Sequence, residues 1–110
     1  MMSYDVVPIP EFVKELKRLA KKYRSLRAEM DALGDELAEH PQMGTPLGHD
    51  CYKIRLAIRS KGAGKSGGAR VITCVVAVRE EVYLLSIYDK SELATLTDKR
   101  LKELLKQIPR

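Results

Sequence analysis

Seven basic residues and no acidic one fall between Cys51 and Arg79: Lys53, Arg55, Arg59, Lys61, Lys65, Arg70 and Arg79. The first three alternate with Tyr52, Ile54, Leu56 and Ile58, so a β-strand over 51–59 has one apolar face and one largely cationic face. Residues two apart on a strand are separated by about 6.6 Å, comparable with successive phosphates of an extended nucleic-acid strand. Lysines and arginines at that spacing suit a polyanion, and a guanidinium stays charged while gripping two phosphate oxygens. The plainer account is a solvated face that keeps the protein soluble. The formal net charge is +5. The rest of the chain holds 13 basic against 15 acidic residues, so the excess belongs to this one segment.

The stretch from Lys61 to Arg70, KGAGKSGGAR, contains four of the seven glycines and invites a nucleotide-binding reading. A Walker A loop requires a glycine five residues before its Gly-Lys-Ser triplet, and Arg59 stands there. The loop must also open a helix, whereas Val71-Ile72-Thr73-Cys74-Val75 reads as a strand. What remains is a glycine-rich hairpin loop whose lysines can approach an extended backbone, or one whose lysines are incidental.

These residues need elements to position them. Tyr4 to Pro10, β-branched and closed by two prolines, reads as an edge strand. From Phe12, apolar residues recur at 12, 16, 19, 23, 26, 30, 33 and 37, one stripe of a helical face. The charge changes sign near Ser25, a candidate cap, which predicts a helical hairpin broken at Tyr23 to Ser25. Pro41 to Asp50 reads as a loop. Val71 to Val78, apolar on both faces, reads as a central strand pairing with Val82 to Tyr88 across a turn at Arg79-Glu80-Glu81. Thr97 caps a final helix with Leu101, Leu104, Leu105 and Ile108 on one face. The order predicts an α+β domain, its sheet packed on the hairpin on one side and presenting its cationic face on the other.

A chain of 110 residues with 45% hydrophobic and 32% charged residues has room for one domain, taken as 1–110, and one function. The longest apolar run is far below the roughly 20 residues that span a bilayer. Asp5, Pro8, Pro10 and Glu11 interrupt any secretory pattern at the start, so the expectation is a cytoplasmic protein without a membrane partner. Cys51 and Cys74 have no ligand-spaced neighbours and read as small packing residues rather than a zinc site or a disulfide framework. His49 is read as a solvated loop histidine.

Taken together, CYKIRL (51–56), KGAGKSGGARVIT (61–73), VYLLSIYDKSE (82–92), GTPLG (44–48), the basic first helix and the helix after Thr97 resemble the RelE/ParE superfamily of type II toxin–antitoxin toxins, most closely its RelE/HigB-like branch. The likeness extends over nearly the whole chain. It implies a RelE-like small α+β domain: an N-terminal strand, a helical hairpin, a three-stranded antiparallel continuation of the sheet, and a C-terminal helix. It also implies a cytoplasmic toxin held inactive by a cognate antitoxin, acting without metal or cofactor as a ribosome-dependent mRNA endoribonuclease. A ParE-like DNA gyrase inhibitor and a non-catalytic RNA- or antitoxin-binding protein are the alternatives on the same scaffold.

The resemblance places basic site residues at Lys53, Arg55 and Arg70, with further site residues around Tyr88 and Lys90; Ser91 stands nearest to an arginine that RelE-type toxins carry after this strand. Cleavage through the RNA 2′-hydroxyl needs in-line positioning, removal of the 2′ proton, stabilisation of a phosphorane, and protonation of the 5′ oxygen. Arg55 and Arg70 are the candidates for charge stabilisation. Lys53 is the candidate base, because neighbouring cations lower a lysine pKa. Tyr88 could stack on a base or orient the hydroxyl, and Lys90 could contact phosphate or donate a proton. Arg59, Lys61 and Lys65 are assigned to RNA binding.

Overall fold

The computed structural model describes residues 3–62 and 64–109. β1 (Asp5–Pro8) leads into α1 (Pro10–Lys22) and α2 (Leu26–Glu39). Four strands follow, β2 (Thr45–Gly48), β3 (Cys51–Leu56), β4 (Ala69–Val76) and β5 (Glu81–Asp89), and then α3 (Asp98–Leu105). The sheet order is β1-β5-β4-β3-β2, with β1 parallel to β5 and every other pairing antiparallel. This is the expected α+β architecture, with one strand more. Among the described residues no helix is long and apolar enough to cross a membrane.

Pro10 opens α1 in the first turn, where a missing N–H costs nothing. All eight residues of the apolar stripe are wholly or partly buried. The helices break at Tyr23 to Ser25 as expected, but Ser25 does not cap through its side chain. Its hydroxyl instead donates to Glu29 (2.9 Å) and accepts the backbone N–H of Ser60 (2.9 Å), tying the helical corner to the loop after β3. Thr97 does cap α3, accepting the N–H of Arg100 at 3.1 Å.

Three expectations need correction. The segment 41–50 is not all loop, because Thr45–Gly48 forms the edge strand β2. Pro46 is tolerated there, since an edge strand has one side without ladder partners, and Gly44, at φ +104, is crowded against the Lys53 carbonyl where a Cβ would not fit. His49 and Asp50 both have positive φ (56° and 60°), the conformation that a two-residue hairpin turn requires. Second, β3 ends at Leu56 rather than Arg59. The chain then buries Ile58 and turns through a single 3-10 turn, Arg59–Lys61, held by hydrogen bonds to Glu29 and Ser25.

Third, the second face of the sheet is not open throughout. β4 is buried from Ala69 to Val75, both faces included. Leu101 and Leu104 of α3 share a core with Ile72, Cys74, Tyr83 and Tyr88, and the Pro109 carbonyl accepts a hydrogen bond from Arg79 at 2.6 Å. The C-terminal segment therefore covers part of the face that the sequence leaves free.

Candidate nucleic-acid interface

The ladder register decides which basic residues meet. Arg55 pairs with Arg70, and Arg70 pairs with Tyr88, so these three form one row across β3, β4 and β5. The next row on the same face is Lys53, Ile72 and Ser86. Beyond it the β4–β5 register shifts, leaving Leu85 unpaired in a bulge. Four residues singled out from the sequence thus share one face, and Ser86, partly exposed and across Ile72 from Lys53, lies in the same row as Lys53. No sequence pattern marks Ser86; only the strand register does.

Two arginines directly opposite each other repel, and like charges in that position destabilise a sheet. Among the described residues neither Arg55 nor Arg70 has a carboxylate within ion-pair distance. Arg55 is exposed, whereas Arg70 is 4% exposed. The Arg70 guanidinium donates to the carbonyls of Lys65 (2.8 Å), Ser66 (3.0 Å) and Ala69 (3.1 Å), so it holds the glycine-rich loop while its charge stays uncompensated. Gly68 allows the loop to pass against the Leu56 carbonyl, where a Cβ would collide. Lys65, in the 3-10 turn Lys65–Gly67, is exposed at the rim. Lys90 is exposed just past β5, its backbone N–H bonded to Gly68 O at 3.0 Å.

Tyr88 is 5% exposed and its hydroxyl is buried without a hydrogen-bond partner. Burial raises its pKa, with the Leu96 backbone and the Arg70 charge opposing the shift, so the phenol stays neutral. The Leu96 contact falls short of hydrogen-bond geometry, which leaves the hydroxyl unsatisfied.

Arg59 and Lys61 do not share the cationic face. Arg59 has left the strand and lies 3.6 Å from Glu29, lining a cleft of about 310 Å³ between α2 and the end of β3 together with Arg55 and Lys65. The Lys61 amine is turned inward to Asp89 Oδ1 (2.6 Å), with Gly67 O at 2.9 Å and Ser91 Oγ at 3.4 Å. Tyr23 donates to the other Asp89 oxygen at 2.5 Å. Burial works against ionisation of Asp89, but the bonds from Lys61, Tyr23 and Ser91 outweigh it and hold the carboxyl well below the usual carboxylate range. This anchor is not visible from spacing, and its one sequence signal is a lone carboxylate ending an apolar strand. A separate cavity of about 520 Å³ lies between α1, α2 and β1, and Asp5, Asp31 and Asp35 make its lining unsuited to a phosphodiester.

No family model matches the sequence. Among solved structures, a double arginine-to-alanine mutant of the E. coli toxin RelE in the free state aligns with a TM-score of 0.66 at 22% identity, covering 98% of this chain and 100% of that one. Isolated E. coli RelE toxin aligns at 0.62 and 19% identity, covering 96% and 100%. The toxin–antitoxin complex RelBE2 of Mycobacterium tuberculosis aligns at 0.58 and 17%, covering 81% and 93%. The fold is therefore RelE-like over nearly the whole chain.

Proposed function

We propose that this chain is the toxin of a type II toxin–antitoxin pair, a single-domain member of the RelE superfamily that cleaves messenger RNA on the ribosome without a metal. The observation that carries the reading is the row Arg55–Arg70–Tyr88 with Lys53 beside it, a set of cations that the fold keeps together and does not neutralise. Such a row suits a phosphodiester, and the solved neighbours of the same fold are toxins, alone or with antitoxin.

In this reading Arg55 meets the scissile phosphate directly, and Arg70 stabilises the phosphorane from below while fixing the loop. Lys53, on the same face as Arg55, takes the 2′ proton. Tyr88, held neutral, is the proton donor or stacking surface, which requires the segment at Leu96 to shift from its hydroxyl. Lys65, Lys90 and, at the edge of the cleft, Arg59 bind flanking phosphates. A cognate antitoxin restrains the protein in the cytoplasm.

Controlled expression with mapping of transcript 5′ ends tests the proposal. Growth arrest accompanied by cleaved transcripts, both lost in a Lys53→Ala/Arg55→Ala/Arg70→Ala variant that still folds, supports it. Full toxicity of that variant overturns the site. Arrest with intact transcripts and a DNA-damage response replaces the nuclease with a gyrase-directed toxin.

A further inference from the structure

Cys51 and Cys74 are both unbridged and buried, 1% and 5% exposed, and directly opposite each other in the β3–β4 ladder. The Val75 N–H donates to the Asp50 carbonyl at 2.9 Å, the bond that flanks a pair of residues not hydrogen-bonded to each other. At such a position the Cα atoms come within about 4.5 Å, inside the roughly 4.4–6.8 Å that a disulfide spans. The two sulfurs also converge on one acceptor, the His49 carbonyl, at 3.4 and 3.8 Å. The Cys51 thiol keeps its proton and shares it with Cys74, which makes Cys74 the easier of the two to ionise despite its burial.

We propose that Cys51 and Cys74 are a redox-active dithiol, the site at which a small peroxide closes an intramolecular disulfide between β3 and β4, one same-face row from Lys53. The Cys74 thiolate attacks a peroxide oxygen, breaking the O–O bond to give a sulfenic acid and hydroxide. Cys51 sulfur then attacks Cys74 sulfur, the S–O bond breaks, and the second oxygen leaves as water with the Cys51 proton. The two thiols lose two electrons in all, and hydrogen peroxide is reduced to two waters. A peroxide is small, and the exposed hairpin turn at His49 and Asp50, whose His49 carbonyl both sulfurs contact, is the edge from which it reaches the pair. The covalent ring encloses Lys53, Arg55, Lys65 and Arg70, so oxidation clamps the strands and loop that carry the cationic row.

The test needs only the purified full chain, reduced and then treated with hydrogen peroxide. A mass loss of 2 Da, a Cys51–Cys74 cross-linked peptide, a rise in Tm on the order of 10 °C and reversal of all three by dithiothreitol are expected. Cys51→Ser should abolish the cross-link and the Tm rise, and the wild-type peptide map decides alone if that variant does not fold. Two alkylatable thiols after peroxide, added oxygen on either cysteine without a cross-link, or disulfides only between molecules would each overturn the proposal. None of these readouts depends on RNA cleavage, so the dithiol stands or falls separately from the nuclease.

Discussion

Tyr88 and Asp89 end the same strand and point to opposite faces of the sheet, and each belongs to a cluster containing a basic residue from the glycine-rich segment. On the Asp89 face, Lys61, Tyr23 and Ser91 saturate one buried carboxylate. On the Tyr88 face, Arg70 and Arg55 stand opposite each other with no carboxylate of the described residues within ion-pair distance, and among those residues the tyrosine hydroxyl has no hydrogen-bond partner. The first arrangement spends its charge internally and joins the helical corner, the loop and the end of β5. The second holds its charge unspent, which lowers the stability of the free protein and raises its affinity for an anion. Charge of the same origin in the sequence thus divides into a fastening and the proposed site, according to whether a carboxylate faces it.

The largest effect is expected where that carboxylate is removed. Asp89→Asn leaves the Lys61 ammonium mostly buried without a counter-charge, and unfolding by urea should show a loss of about 3–5 kcal/mol. A loss below about 1 kcal/mol would mean that Lys61 reaches water and that the two clusters do not differ in kind. The same contrast has a pH signature. The folded-state pKa of Asp89 lies below its unfolded value, so its contribution is complete above about pH 4–5 and is lost as pH falls toward the folded value. Wild-type stability should decline with acid below about pH 4, and Asp89→Asn should flatten that part of the profile.

Arg55→Ala should do the opposite. Transcript cleavage falls by about 10²-fold, as for loss of one charge-stabilising donor, while stability moves by no more than about 0.5 kcal/mol. Arg55→Glu sharpens the comparison, because it gives Arg70 the carboxylate that the row lacks: the protein should be at least as stable as wild type and inactive. Retained cleavage in a folded Arg55→Glu protein would show that the row's uncompensated charge has no part in the reaction.

Much of this division was legible only in part. The apolar stripe from Phe12 to Leu37 fixed both helices, and the β-branched run of β4 marked a central strand, because burial imposes periodicity wherever an element is long. β2 escaped because four residues, TPLG, at an edge carry no alternation and contain the residues that mark turns. Arg59 looks like a strand residue because Ile58, a buried isolated bridge residue, continues the alternation beyond the end of β3 at Leu56, and the chain turns only at Arg59. Lys61 reads from the sequence as one more free cation because its partner lies at Asp89, beyond the reach of any local pattern. Arg70 and Tyr88 take a site role only from the family resemblance, and spacing alone has no means of placing them beside Arg55. The rows of a sheet are set by register, and register here includes a bulge that no local residue announces.

The smallest effect lies at Arg59, which sits between the two classes and so tests where the boundary runs. Its side chain is 82% exposed and its contact with Glu29 is 3.6 Å long, a surface pair of little energetic weight. The backbone N–H of the same residue donates to Glu29 at 2.8 Å, and that bond survives truncation of the side chain. Arg59→Ala should therefore leave the urea midpoint unchanged. Its RNA affinity should fall only a few-fold, with the logarithmic salt slope reduced by about 1, as for one lost phosphate contact. An unchanged slope would assign Arg59 wholly to the helical corner. A stability loss above about 1 kcal/mol would place it with Lys61, among the charges that the fold has already used.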